Sequence, residues 1–228
     1  MKLVMLPCAG GSSLMFQGVS DQLPATIQAL PLDYAGHGRR ADRPLNKQFL
    51  QIVDEIFAHL REINFNFQEA YAFLGYSMGS VISFELTKKI KQAGLPVPQR
   101  LFLCASAPVG YSKQERISSI PKGELYLYLK ESGGTNQELL HNQDFQDYYY
   151  PIIEADLIAI NNFELKNQVD LSVPVTVISG NEDKYSQVDV LAWQDYCQNC
   201  DFERLVGGHF FIYERTEELV EIISNKLI

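Results

Sequence analysis

Residues 75–79 read G-Y-S-M-G, which places Ser77 between two glycines. This G-x-S-x-G spacing is typical of a sharp turn from a strand to a helix, on which a serine hydroxyl projects above a sheet. An apolar segment, residues 71–74, precedes the turn, and an uninterrupted helical pattern follows it. The first N–H groups of that helix would point at a developing anion. The pattern therefore predicts that Ser77 is a nucleophile.

A serine hydroxyl needs a neighbouring base that removes its proton. The chain offers four histidines, of which His59 lies within one helical pattern and His141 ends another. Those positions favour a surface or packing role, whereas His37 follows the second predicted strand and could face the site. His209 comes after two glycines near the carboxyl end of the chain. Because the order serine, acid, histidine is typical of this type of site, His209 is the predicted base.

The base needs a carboxylate that orients its imidazole. Asp183 follows closely on a predicted strand that ends at residue 179, and Glu182 is its nearest competitor. Asp189 and Asp195 fall in the following helical pattern, from which they point less favourably at the site. Some related sites place the acid one strand earlier, but residues 106–109 contain no carboxylate. Asp183 is therefore the predicted acid.

Two backbone N–H groups are needed to hold an oxyanion. One is expected from Met78, directly after the nucleophile, and the other from the loop after an early strand. Residues 6–11, which read L-P-C-A-G-G, form such a loop. Ala9 is the favoured donor there and Cys8 the second choice, although the paired glycines would also suit a plain turn.

These residues depend on an alternation of strands and helices. Strands are predicted at residues 2–7, 27–34, 70–76, 100–105, 173–179 and 201–206, and helices at residues 46–63, 78–92 and 211–228. Alternation with apolar, β-branched strands predicts an α/β protein with a mostly parallel sheet and helices on both faces. Ligands bind such sheets at the carboxyl ends of the strands, where all the candidate residues fall.

One stretch, residues 120–163, contains only helical patterns. They cover residues 124–130, 137–141 and 145–163, with Pro151 as a kink. A helical insertion of this kind, at approximately residues 112–165, is expected to form a lid over the strand ends. Several of its side chains could line an apolar acyl pocket or could simply pack the helices. They are Tyr126, Tyr128, Leu129, Tyr148, Tyr149 and Tyr150.

The composition limits the number of domains and the kinds of partner to expect. A length of 228 residues suits one domain covering residues 1–228, and 46% hydrophobic with 21% charged residues is typical of a globular chain. The net charge of −9 opposes binding to nucleic acid or to anionic lipid surfaces. An acidic protein partner would need a local basic patch on this chain.

The cysteines and the hydropathy favour a cytoplasmic protein without a metal. Cys197 and Cys200 form a single C-x-x-C pair that lacks two further ligands, so no zinc site and no other cofactor are expected. The chain shows no signal peptide at its start and no apolar run of about 18 residues, so no membrane span is expected. A reducing cytoplasm is the expected compartment.

Taken together, the motifs resemble those of the type II thioesterases, stand-alone editing enzymes of nonribosomal peptide and polyketide synthesis. The resemblance covers nearly the whole chain. Its motifs lie at residues 7–11 (P-C-A-G-G), 36–40 (G-H-G-R-R), 75–86, 132–135 (S-G-G-T), 180–183 with Trp193, and 207–211 (G-G-H-F-F). Departures from the family pattern are Ala35 for proline, His37 for arginine and Tyr76 for histidine.

The resemblance implies an α/β-hydrolase fold with a helical lid. It also implies a thioester hydrolase whose substrate is an acyl group on the phosphopantetheine arm of a carrier protein. That carrier would act in trans, because the chain contains no attachment motif of its own. The lack of fused domains favours a monomer. Tyr126, Tyr149 and Phe210 are the candidate substrate-binding residues. A medium-chain fatty-acyl thioesterase, a small-ester carboxylesterase and a non-catalytic binding module remain alternatives.

Overall fold

The computed structural model describes residues 1–109, 117–166, 171–185 and 187–228. Within these ranges the chain forms a six-stranded sheet in the order β2-β1-β3-β4-β5-β6, and each neighbouring pair is parallel. Its strands are β1 (Lys2–Leu6), β2 (Gln28–Pro31), β3 (Tyr71–Tyr76), β4 (Leu101–Cys104), β5 (Val175–Gly180) and β6 (Cys200–Leu205). The predicted parallel sheet is confirmed.

Helices connect these strands. They are α1 (Gln17–Gln22), α2 (Phe49–Glu62), α3 (Met78–Gln92), α4 (Lys122–Ser132), α5 (Gln137–Leu140), α6 (Gln143–Asn161), α7 (Gln187–Leu191), α8 (Phe211–Glu214) and α9 (Thr216–Leu227). None of the helices in the described ranges is long and apolar enough to cross a membrane.

The sheet carries an apolar core on each face. In β1, Val4 and Leu6 pack in the core formed with α2 and α3, whereas Leu3 and Met5 pack in the core formed with α1 and α9. This division follows from the period of two along a strand. Since both faces are covered, all six residues of the central strand β3 are buried, and this strand contains no charged residue.

Helix α3 lies between the sheet and α2, so it is buried along most of its length. Its polar side chains are satisfied internally. The hydroxyl of Ser83 donates to the carbonyl of Gly79 at 2.7 Å, and that of Thr87 donates to the carbonyl of Ser83 at 2.8 Å. The helix starts at Met78, directly after Ser77.

The helical insertion is confirmed: α4, α5 and α6 stand between β4 and β5 in the chain. Helices α4 and α6 pack through an apolar cluster that includes Leu125, Tyr150 and Ile153, and α5 contacts both of them. Helix α6 continues through Pro151 and also contacts α2. The predicted start of the insertion, residues 112–116, lies outside the described residues.

Among the predicted elements, the last helix and the second strand differ most from their observed extents. The helix expected at residues 211–228 is divided into α8 and α9, because Arg215 has the non-helical dihedrals φ −126° and ψ 36°. The strand expected at residues 27–34 spans only Gln28–Pro31, and it is followed by a hydrogen bond of 3.0 Å from the Leu32 amide to the carbonyl of Met5 in β1. The chain then leaves the sheet edge and forms the loop that carries His37.

Candidate active site

Ser77 occupies a strained turn between β3 and α3. Its dihedrals are φ 53° and ψ −114°, a region that L-residues rarely adopt. The turn is held by a hydrogen bond of 2.8 Å from the Ser77 amide to the carbonyl of Cys104. A Cβ on Gly75 would overlap the backbone of Gly79, and a Cβ on Gly79 would overlap the carbonyl of Leu6. Both positions flanking the serine therefore require glycine.

Ser77, His209 and Asp183 form a continuous chain of hydrogen bonds. Nε2 of His209 lies 3.1 Å from Oγ of Ser77, and Nδ1 lies 3.0 and 3.1 Å from the two carboxylate oxygens of Asp183. Because a carboxylate accepts, Nδ1 carries a proton and Nε2 is left to accept the serine proton. The imidazole is 5% exposed and the carboxylate 1%, so both are shielded from water.

The loops after β5 and β6 support this arrangement together. The amide of Glu182 donates to the carbonyl of Gly207 at 2.9 Å, and the amide of Gly207 donates to Oδ1 of Asn181 at 2.9 Å. A Cβ on Gly180 would overlap the carbonyls of Gly207 and Gly208. The two loops are thus tied backbone to backbone, and they hold the carboxylate and the imidazole at a fixed separation.

Tyr76 also positions the imidazole, a role that sequence reasoning missed. Its hydroxyl donates to the carbonyl of His209 at 2.6 Å, and its ring stacks on Phe210 at 6.3 Å between centroids. Burial raises the pKa of Tyr76 well above its ordinary value, so the phenol remains a donor. The residue before Ser77 therefore holds the backbone of His209.

The two candidate oxyanion donors stand beside Ser77. Met78 is the first residue of α3, so its amide belongs to the helix end that lacks intrahelical acceptors. Ala9 lies in a turn closed by a 3.0 Å hydrogen bond from the Gly11 amide to the Cys8 carbonyl. Ala9, Ser77 and Met78 line one cavity. The structure therefore brings these predicted residues together.

That cavity has a volume of about 280 Å³ and lies between the strand ends and the helical insertion. Its walls are largely apolar. They are formed by Ala9, Ser77, Met78, Val81, Ser106, Ala107, Val109, Ile117, Ile120, Tyr128, Leu157, Ile160, Asn161, Lys184 and Tyr185. Nζ of Lys184 lies 4.8 Å from the centroid of the Tyr128 ring and 5.3 Å from that of Tyr185. This cation therefore sits at an aromatic corner of the cavity.

The candidate substrate-binding residues divide into two groups. Phe210 lines a second, smaller cavity of about 30 Å³ that also reaches Ser77. Tyr126 instead lies 3.3 Å from Nε2 of His141, and Tyr149 stacks on a neighbouring ring and is 39% exposed. Neither lines either cavity, whereas Tyr128 lines both. Residues two positions apart on a helix face different sides, so α4 presents Tyr128 to the site and turns Tyr126 away.

The remaining cysteines and histidines take no part in the hydrogen-bonded chain of Ser77, His209 and Asp183. Cys8 lines the smaller cavity, but burial raises the pKa of its thiol to about 12, which keeps it neutral. His59 pairs with Glu62 on the surface of α2, and His37 is buried against a carboxylate of α6. Within the described parts of the chain, no cluster of three or more histidine, cysteine or acidic side chains could hold a metal ion.

Sequence comparison places these features in a family. A thioesterase-domain family model matches residues 1–227. The chain belongs to the thioesterase family. It is 30% identical over 233 residues to the medium-chain S-acyl fatty acid synthase thioesterase of Homo sapiens, covering 100% of this chain and 86% of that protein. It is 28% identical to the gramicidin S biosynthesis protein GrsT of Aneurinibacillus migulanus, covering 100% and 89%.

Solved structures of similar shape confirm the fold of this thioesterase. The type II thioesterase BorB from the borrelidin biosynthetic cluster superimposes with a TM-score of 0.86 at 23% identity, covering 100% of this chain and 92% of that one. RedJ from the prodiginine pathway of Streptomyces coelicolor gives 0.88 at 24%, covering 100% and 90%. A lipase-esterase related protein of Clostridium acetobutylicum gives 0.74 at 17%, covering 100% and 94%. The thioesterase therefore has the expected α/β-hydrolase fold.

Proposed function

We propose that this thioesterase releases acyl groups from the phosphopantetheine arm of a carrier protein supplied in trans, and does so as a cytoplasmic monomer. The observation that carries the proposal is the hydrogen-bonded chain of Ser77, His209 and Asp183, which opens into an apolar cavity beneath the helical insertion. The hydrogen bonds activate the hydroxyl of Ser77, and the cavity has room for an acyl group. Neither a metal nor a cofactor is needed for the steps that follow.

The reaction has two halves. Oγ of Ser77 attacks the thioester carbonyl while Nε2 of His209 takes its proton, and the amides of Met78 and Ala9 hold the oxyanion. The carbon–sulfur bond then breaks, and the imidazolium returns the proton to the leaving thiolate. Water, deprotonated by His209, then attacks the acyl carbon, the bond from that carbon to Oγ of Ser77 breaks, and the imidazolium returns the proton to Oγ. The products are a free acid, a free thiol and the original enzyme.

Two kinds of relative support an editing role in nonribosomal peptide or polyketide synthesis. GrsT is named for gramicidin S biosynthesis, and BorB is a type II thioesterase of a biosynthetic cluster. The human relative instead supports a second candidate, release of medium-chain fatty-acyl groups in fatty acid synthesis. Both candidates use the same residues, and the preferred acyl group separates them.

The test compares the same acyl groups attached to three different leaving groups. Acetyl to dodecanoyl groups would be presented on a phosphopantetheinylated carrier protein, on coenzyme A and on p-nitrophenyl esters. Ser77→Ala is the inactive variant. Ser20→Ala, which removes from α1 a hydroxyl that donates to the carbonyl of Phe16, is the matched control.

A higher kcat/KM for carrier-bound acyl groups, lost in Ser77→Ala and kept in Ser20→Ala, would support the proposal. Preference for short or aberrant acyl groups would favour editing, and a sharp medium-chain preference would favour the second candidate. Equal turnover of simple esters, with no preference for the carrier, would contradict both.

A further inference from the structure

Helix α6 rests directly on the loop that carries Ala9. The amide of Gly10 donates a 2.8 Å hydrogen bond to Oδ2 of Asp156. A Cβ on Gly10 would overlap the side chain of Ile153, and Gly10 has φ +69°, which favours glycine. Ile153 and Asp156 are three positions apart and therefore share one face of α6. The helical insertion thus contacts the loop at the residue next to the candidate oxyanion donor.

His37 completes this contact from the loop after β2. Its Nε2 lies 2.8 Å from the same Oδ2 of Asp156, and its Nδ1 lies 3.0 Å from the carbonyl of Ala35. A carbonyl can only accept, so Nδ1 carries a proton, and the contact between Nε2 and Oδ2 needs a second one. Because Oδ2 also accepts the Gly10 amide, the carboxylate is the favoured partner and His37 is the imidazolium.

The surroundings of the pair agree with this assignment. The side chains of His37 and Asp156 are 3% and 1% exposed. Burial alone would lower the pKa of His37, but the hydrogen bond and charge of Asp156, the Ala35 carbonyl and the charge of Asp33 together raise it. The other titratable neighbours, Tyr34 and Cys8, stay neutral because burial raises the pKa of each.

We propose that Asp156 and His37 are positioning residues for thioester hydrolysis. Their buried pair clamps α6 to Gly10 and so fixes the adjoining amide of Ala9, which holds the oxyanion. Neither side chain touches the reacting atoms. The inference rests on the proposed function, and it assigns to the helical insertion a part in building the oxyanion site besides covering it.

The test uses variants that keep shape and remove charge. Asp156→Asn and His37→Gln each break the ion pair, and the double variant removes both charges at once. Asp147→Asn is the matched control, because Asp147 lies on the same helix and is exposed. Each protein would be assayed for kcat and KM on an acyl thioester, and its thermal unfolding would show that it is folded.

Loss of one oxyanion donor costs about 10²–10³-fold in kcat, so a displaced donor is expected to cost about tenfold or more, with a much smaller change in KM. The effects of substituting residues that act as a unit are not additive. The kcat of the double variant is therefore expected to be no lower than that of the less active single variant. Asp147→Asn is expected to match the wild type. Additive losses in the double variant would contradict a shared role.

A second measurement is independent of turnover. Nuclear magnetic resonance of ¹⁵N-labelled imidazoles at pH 6.5 is expected to show a larger fraction of His37 protonated on both nitrogens in the wild type than in Asp156→Asn. Full kcat in a folded Asp156→Asn protein, with an active wild type, would overturn this inference alone. A wild type that hydrolyses no thioester would overturn the proposed function and the positioning role with it, while the imidazole signals would still report the pair.

Discussion

Nε2 of His209 lies 3.1 Å from Oγ of Ser77, although 132 positions separate the two residues in the chain. The parallel sheet accounts for this closeness. Ser77 follows β3, Asp183 follows β5 and His209 follows β6, and all parallel strands of one sheet end at the same edge. The geometry matches the roles of nucleophile, acid and base, which leads to distinct expectations for each supporting residue.

Replacing Asp183 with asparagine should inactivate the enzyme without unfolding it. An amide at this position favours the wrong tautomer of His209, and in other serine hydrolases such a change lowers kcat about 10⁴-fold. Steady-state hydrolysis of an acyl thioester would measure the effect. Glu182→Gln is the control, because Glu182 is the neighbouring exposed carboxylate. A larger loss of kcat in Glu182→Gln than in Asp183→Asn would show that Glu182, and not Asp183, is the acid.

Gly79→Ala should destabilise the folded protein. The added methyl group would overlap the carbonyl of Leu6, where neither backbone can give way. Core overpacking typically costs about 1–3 kcal/mol, and a clash with backbone is expected to lie at or above that range. Chemical denaturation would measure it. Gly123→Ala in α4 meets no neighbouring atom and should be neutral or stabilising by up to about 1 kcal/mol. Equal stability of the two variants would contradict the account of the turn.

Tyr128→Ala should weaken the binding of long acyl groups, whereas Tyr149→Ala should not. Tyr128 lines both cavities at Ser77, and Tyr149 lies on the outer side of α6. Burying an aromatic or aliphatic side chain contributes about 1.5–3 kcal/mol, so KM for a dodecanoyl thioester is expected to rise about tenfold or more. Values of KM across a series of chain lengths would test this. A larger rise in KM in Tyr149→Ala than in Tyr128→Ala would place the acyl pocket on the outer side of α6.

Stability should fall with rising pH because of His37. The pKa of His37 in the folded protein is raised above its ordinary value of 6.5: burial opposes the rise, and Asp156, Ala35 and Asp33 produce it. The folded state therefore binds more protons than the unfolded state above pH 6.5. The stabilisation is fully present below that pH and is lost as the pH rises through the folded value.

Urea unfolding from pH 6 to pH 9 would measure this loss. Comparison with His37→Gln isolates it from the titration of Tyr34 and Cys8, whose raised pKa values act in both proteins. The advantage of the wild type over the variant is expected to shrink as the pH rises. A difference that stays constant or grows would contradict the ion pair.

The sequence was most informative where local chemistry decides the structure. The predicted bounds of α3 coincide with Met78–Gln92, since the turn at Ser77 starts the helix and the apolar face continues it. Contacts made across the fold were not predictable. Asp156 is one of many acidic residues in the sequence, and only the packing of α6 on Gly10 gives it a partner. Tyr126 and Tyr128 are the same type of residue in the same helix, and only the orientation of α4 shows which of them faces the site.

The central claim is tested most directly by trapping the acyl-enzyme. Wild type and Ser77→Ala would be mixed with an acyl carrier protein, quenched in acid within milliseconds and digested, and the peptides weighed by mass spectrometry. The account predicts an added acyl mass on the peptide that contains Ser77, and none in Ser77→Ala. An acyl group on Cys8, which also borders the site, or carrier-dependent turnover that survives Ser77→Ala, would contradict it.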